Sequence, residues 1–402
     1  MSLAFAGRGR VACALLIAVS FTTTAAGASA ERGYHSAVVV AADTGQTLVE
    51  QDADAQWEPA SLVKMMLSLV ARERAVTTAF HMLTPVRTSA YASKMGGSQV
   101  YLKHGEVFTL SSMLQAMEIA SANDASVAVA EAIAGSTDAT VDLMNFRARE
   151  LGMAATTFVN VHGLPTAPGE AGNVTTARDM ATLARALLTE HPGILLTGST
   201  KTAPFRGGEF ILYNTNKQFL QAFDGADGLK TGYHKAAKYN IAATAQREDM
   251  RLIAVVLGAD SGDKRTRGVS RLLDSAFATY KRDTVVDAGE RLPDQVYVEG
   301  SAHRYAPLQV AGDLAIFAKR SDFANVRIVP TDIPVLQAPI AAGTPAGMIV
   351  ARLGGRELGK APLVVAETVD RAPFLWRVWH WRTPRPTRGR FLQAGAQLAG
   401  GF

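Results

Sequence analysis

Cysteine is all but missing from this sequence: Cys13 alone in 402 residues. One thiol cannot make an internal disulfide, a thiolate metal cluster or a paired redox site, so those chemistries are excluded. Charge is sparse as well, with 19% of residues charged against 48% hydrophobic, a balance that excludes wholesale disorder. The formal charge of +5 is unevenly spread. Arg8 and Arg10 give +2 to residues 1–30, six arginines without any acid give +6 to 371–402, and 31–370 are left with −3. A mildly acidic body excludes a basic groove for nucleic acid. The eight histidines show no His-Glu-x-x-His or comparable spacing, so no metal is expected, and His162 and His234 read as structural or rim residues. No Gly-x-Gly-x-x-Gly opens a helix after a strand, and no nucleotide cofactor is expected either.

What is present begins with a leader. Arg8 and Arg10, the apolar run Val11–Val19 and Ala28-Ser29-Ala30 have the order of an export signal over residues 1–30. The apolar run is too short to span a bilayer comfortably. Cleavage after Ala30 would leave a cysteine-free chain in the periplasm or cell envelope.

From Tyr34 to Tyr280 strand and helix patterns are mixed. Strands are expected over Tyr34–Ala42, Gln46–Glu50 and Leu252–Gly258; helices over Ser61–Ala71, Ser112–Ala132, Thr175–Leu188 and Val269–Tyr280. Past Thr284 helical periods vanish, and short apolar strands alternate with Gly/Pro/Asp turns, which predicts a small all-β domain over 284–370 behind a domain over 31–283. Residues 371–402 differ again: Trp376, Trp379 and Trp381 interleave with Arg377, His380 and Arg382. Such a stretch suits a membrane surface through 371–390, the alternative being aromatics packed back onto the body.

Three short motifs carry possible chemistry. In Ser61-Leu62-Val63-Lys64, positions i and i+3 share a helix face, so the lysine amine can reach the serine hydroxyl and take its proton. Taken singly, this is also how a helix cap followed by a solvated lysine reads. Ser121-Ala122-Asn123 breaks an Ala/Met-rich helical run; its hydroxyl can relay protons and its amide can hold a substrate carbonyl or the lysine. A joint between two helices reads the same way. Lys230-Thr231-Gly232 offers a cation and a hydroxyl for a carboxylate, on a strand whose glycine lets another backbone come close.

Together, in this order, 60 and 109 residues apart, the motifs form the triplet of penicillin-binding proteins and class A β-lactamases. The chain resembles the low-molecular-weight serine D-alanyl-D-alanine carboxypeptidases. The likeness is carried by Glu58-Pro59-Ala60-Ser61-Leu62-Val63-Lys64-Met65-Met66, Ser121-Ala122-Asn123-Asp124-Ala125, Asn160-Val161-His162-Gly163-Leu164-Pro165, Thr176-Ala177-Arg178-Asp179-Met180 and Asp227-Gly228-Leu229-Lys230-Thr231-Gly232-Tyr233. The resemblance implies an α/β (α+β) fold with an antiparallel sheet flanked by helices, then a β domain. It implies Ser61 as acylated nucleophile, Lys64 as its base, and Ser121 and Asn123 in proton transfer and positioning. Lys230 and Thr231 would bind the terminal carboxylate, and the N–H groups of Ser61 and Tyr233 would form an oxyanion hole. Substrates would be peptidoglycan stem peptides, with β-lactams as covalent inhibitors and no cofactor. One departure stands out: where many relatives start the next strand with glycines, this chain reads His234-Lys235-Ala236-Ala237-Lys238-Tyr239. The rival readings are a β-lactamase, with Glu170 in a plausible loop, and a non-catalytic wall-binding module.

Overall fold

The computed structural model describes residues 32–77 and 80–380. The expected leader over 1–30, and the tail beyond His380 with Trp381 and Arg382, lie outside the described residues. The first domain is built on a five-stranded sheet. Its strands are β1 (Ser36–Ala41), β2 (Thr47–Gln51), β3 (Ala226–His234), β4 (Lys238–Arg247) and β5 (Met250–Ala259), in the order β2-β1-β5-β4-β3 and antiparallel throughout.

Both faces of this sheet are covered, and the strands divide their side chains between them. Val38 and Val40 of β1, with Ile253, Val255 and Leu257 of β5, point into the larger core. Their neighbours Ala37, Val39, Leu252, Ala254 and Val256 point into the opposite one. Period-2 alternation with both faces buried explains why these strands read as continuous apolar runs. On the larger core lie α1 (Val63–Thr77), α2 (Leu110–Ile119), α3 (Asn123–Ala134) and α4 (Ala177–Glu190). On the other face lies α5 (Gly262–Thr279).

Local chemistry sets the helix starts. Thr176 Oγ1 caps α4 by accepting from Asp179 N at 3.0 Å, and Ser261 Oγ caps α5 by accepting from Lys264 N at 3.1 Å. The run expected as one helix over 112–132 is two. Helix α2 stops at Ile119, and Ser121 sits at φ +61° before α3 begins at Asn123.

The chain leaves α5 into β6 (Tyr280–Val286), which pairs with β9 (Leu314–Lys319). The other strands of the second domain are β7 (Arg291–Glu299), β8 (Tyr305–Val310), β10 (Arg327–Thr331), β11 (Leu336–Gln337), β12 (Pro345–Leu353) and β13 (Arg356–Val365). They form a sheet in the order β10-β12-β13-β8-β7-β11 over a separate apolar cluster. At the junction Tyr280 stacks on Phe317 with ring centres 5.6 Å apart, and Phe317 belongs to the core under α5. A short helix, Phe374–His380, follows the second domain. Among the described residues no helix is long and apolar enough to cross a membrane.

Candidate active site

Pro59 leads into a 3-10 turn, Ala60–Leu62, that runs directly into α1, so Ser61 stands at the head of the helix and Lys64 one turn inside it. Lys64 is 1% exposed. Its Nζ lies 3.0 Å from Ser61 Oγ, 2.7 Å from Asn123 Oδ1 and 2.6 Å from the His162 carbonyl. Asn123 has its orientation fixed, because its Nδ2 donates to Gly96 O at 2.7 Å. Of the two tasks open to that amide, holding the lysine is the one the structure places. Burial pushes the Lys64 amine well below its ordinary range; the charge of Lys230 adds to this and Asp124 opposes it.

The second hydroxyl meets the third motif. Lys230 Nζ donates to Ser121 Oγ at 2.9 Å and to Thr231 O at 2.9 Å, inside the protein. Its pKa falls to about 7, chiefly through burial, then through Arg265, with Glu118 opposing. Thr231 Oγ1 donates to Thr215 Oγ1 at 2.8 Å. Tyr233 is 56% exposed and packs on Tyr239, ring centres 4.3 Å apart. Strand β3 is the edge of its sheet and comes hard against the nucleophile turn. A Cβ on Gly232 would stand 2.6 Å from Pro59 O and 3.1 Å from Ser61 N, so only glycine fits there. All eight expected residues, Ser61, Lys64, Ser121, Asn123, Lys230, Thr231, Gly232 and Tyr233, therefore converge on one place.

A loop closes the other side. Asn160 Oδ1 accepts from Gly163 N at 2.7 Å and Asn173 Nδ2 at 3.0 Å, holding Asn160–Leu164 against Ala60. His162 Nδ1 accepts from Leu164 N at 3.1 Å, and burial followed by the Lys64 charge lowers its pKa to about 4. The ring is neutral and structural; the functional contact of His162 is its carbonyl. Glu170 turns its carboxylate to its own loop, accepting from Ala167 N at 3.2 Å. His234 pairs with Glu58 at 3.2 Å, and in place of a glycine-rich start Lys238 takes φ +54° and pairs with Asp260 at 2.8 Å.

Sequence reasoning passed over Arg265, on the first turn of α5. It is buried, its Nε has no hydrogen-bond partner, and among the described residues no carboxylate pairs with it. A buried guanidinium without a counter-ion, beside Lys230, has donor capacity left for an anion. Its only sequence signal was the Ser261 cap with Asp263 in the first turn, which starts the helix seven residues before the apolar period does.

Comparisons with known proteins give the family. A family model described as D-alanyl-D-alanine carboxypeptidase matches residues 22–261, and one described as penicillin-binding protein 5, C-terminal domain, matches 279–371. The chain is 35% identical to D-alanyl-D-alanine carboxypeptidase DacF of Bacillus subtilis (strain 168) over 345 residues, 85% of this chain and 87% of that one. It is 33% identical to DacC of Escherichia coli (strain K12), covering 84% of each. Among solved structures, penicillin binding protein 5 from Haemophilus influenzae superposes with a TM-score of 0.67 at 27% identity, covering 84% of this chain and 98% of that one. Penicillin-Binding Protein D2 from Listeria monocytogenes, solved in an ampicillin-bound form, superposes with a TM-score of 0.56 at 29% identity over 61% of this chain and 97% of its own. By sequence, by both of its domains and by the constellation around Ser61, the chain belongs to the D-alanyl-D-alanine carboxypeptidase family, the low-molecular-weight penicillin-binding proteins.

Proposed function

We propose that the protein is a serine D-Ala-D-Ala carboxypeptidase that trims peptidoglycan stem peptides through an acyl-enzyme on Ser61. The carrying observation is the environment of Lys64. Asn123 Oδ1 and the His162 carbonyl are acceptors only, so they take both N–H bonds of a neutral amine. In that neutral form the lone pair is left to take the proton of the Ser61 hydroxyl, 3.0 Å away. Burial favours that neutral amine. Lys64 takes the hydroxyl proton as Ser61 Oγ attacks the carbonyl carbon of the penultimate D-alanine. The peptide C–N bond breaks, the terminal D-alanine leaves with the proton on its nitrogen, and water hydrolyses the ester. Ser121 passes a proton towards the leaving nitrogen in this reading, which its hydrogen bond from Lys230 supports.

Lys230, Thr231 and Arg265 receive the terminal carboxylate in this reading. Arg265→Ala is expected to raise KM for peptides ending in D-Ala-D-Ala about tenfold or more, since hydrogen bonds to charged groups are among the strong ones. An analogue with a C-terminal amide should lose nothing further in the variant; equal losses on both substrates would remove Arg265 from carboxylate binding.

Mass spectrometry of the protein with labelled penicillin tests the whole reading. A lasting adduct on the Ser61 peptide, together with D-alanine release from a stem peptide, is the expected result. An adduct elsewhere would overturn the nucleophile assignment, and fast penicillin turnover without an adduct would favour a β-lactamase.

We also propose work in the cell envelope. The leader-like residues 1–30 support it, as does the helix Phe374–His380, which turns Phe374, Leu375 and Val378 to solvent and precedes an arginine-rich sequence.

A further inference from the structure

Lys64, Ser68 and Arg72 stand on one face of α1, four residues apart. The second and third of them meet a single carboxylate. Glu118 Oε1 accepts from Ser68 Oγ, Arg72 Nη2 donates to both Glu118 oxygens at 2.8 and 2.9 Å, and Thr197 Oγ1 donates to Oε2. Arg72 and Glu118 are both buried. An enclosed ion pair of this kind adds little to stability by itself, and the mechanism above makes no use of it.

Between this pair and the active site lies a cavity of about 10 Å³, bordered by Lys64, Lys230, Glu118, Met65, Leu187 and Leu229. It is no larger than the room one water molecule needs. With room for no more than about one water between them, the field of the Glu118 carboxylate reaches the lysines with little screening.

We propose that Glu118 is a positioning residue for substrate binding: its buried carboxylate, clamped by Arg72, Ser68 and Thr197, keeps Lys230 protonated for the substrate carboxylate. Lys230 is faced by Lys64 from α1, Arg265 from α5 and Glu118 from α2, while Asp124 of α3 and the His162 loop face Lys64. Burial and the Arg265 cation drive the proton off Lys230. Glu118 is the anion that resists them. The proposal rests on the reading of Lys230 as a carboxylate-binding group.

The test is the KM of full-length Glu118→Gln relative to the unaltered enzyme, measured on a D-Ala-D-Ala peptide across pH. Groups common to both proteins cancel in the ratio. If Lys230 loses its proton about one pH unit earlier in the variant, the ratio is near one at pH ~5.5 and climbs to about tenfold at pH ~8.5. Because Glu118→Gln leaves the buried Arg72 without a counter-charge, with Ser68 Oγ as its remaining acceptor at 3.1 Å, the double variant Glu118→Gln/Arg72→Gln removes both charges and guards against misfolding. It should show a climb in the same direction, reduced by the loss of the Arg72 charge. A ratio flat in pH in whichever variant folds overturns the role of Glu118, provided Lys230→Ala still raises KM. If Lys230→Ala leaves KM unchanged, the carboxylate-binding reading falls and the proposal falls with it.

Discussion

Lys64→Met is expected to slow acylation of Ser61 by about 10³-fold or more, within the span that a positioned general base contributes. Methionine matches the lysine stem in length and leaves the α1 packing intact, so the loss isolates the amine. Two stability effects then oppose each other. Removing a desolvated amine is favourable, whereas the Asn123 and His162 carbonyls lose the donor they share, an unfavourable change of about 1–3 kcal/mol for each orphaned group. The melting temperature should therefore shift by no more than roughly 10 °C.

The pH profile carries a second signature. A buried lysine held neutral gives an acylation rate that rises as the pH climbs through its lowered pKa and then levels off. Protonation below that point both removes the base and places a second cation beside Lys230. In Lys64→Met that acid limb should vanish. Single-turnover acylation by a chromogenic β-lactam measures both rate and profile; a variant within tenfold of the unaltered enzyme would show that Lys64 is not the base.

The site was legible in the sequence where spacing alone puts atoms together. Ser61 and Lys64 share a helix face, and the polar break at Ser121–Asn123 in an Ala/Met run announces the joint that the chain makes with Ser121 at φ +61°. Gly232 was legible as a point of close approach. What approaches, the Pro59–Ser61 turn, was not, because the two lie more than 170 residues apart. The convergence of three ambiguous motifs was visible only as a pattern shared with a family.

The rest was hidden by burial, which sequence does not display. Arg265 lies in Asp260–Arg267, a charged run that reads as solvent-facing helix start, and only the fold encloses it. Glu118 and Arg72 each look like a surface charge on a helix, and their pairing across 46 residues is tertiary. The contribution of His162 comes from its backbone carbonyl, which no side-chain motif encodes. In the second domain, the short apolar strands expected past Thr284 are present as β7, β9, β10, β12 and β13. Strand β8, with its half-exposed Tyr305, Pro307 and Gln309, went unread.

Gly163→Ala should be as damaging as a catalytic substitution although its side chain would touch no substrate. Gly163 sits at φ +80°, and an added Cβ would lie 2.1 Å from Ala60 O and 2.4 Å from Ala60 C. Both are backbone atoms in a turn already strained by Ala60 at φ +49°. Relief requires the nucleophile turn to move, or the Asn160–Leu164 loop to withdraw. Withdrawal would pull the His162 carbonyl away from Lys64, freeing an N–H and turning the amine's lone pair off Ser61. A misplacement of about 1 Å costs roughly 10²-fold in rate, and acylation should fall by at least that much. Gly152→Ala is the matched control: it has φ +75° with nothing within 4 Å of the new Cβ. It should lose about 1 kcal/mol of stability from the left-handed backbone and keep its activity. Acylation rates and melting temperatures of the two variants, measured side by side, decide the point. If Gly163→Ala acylates as fast as Gly152→Ala, the loop does not hold Lys64 in its working geometry.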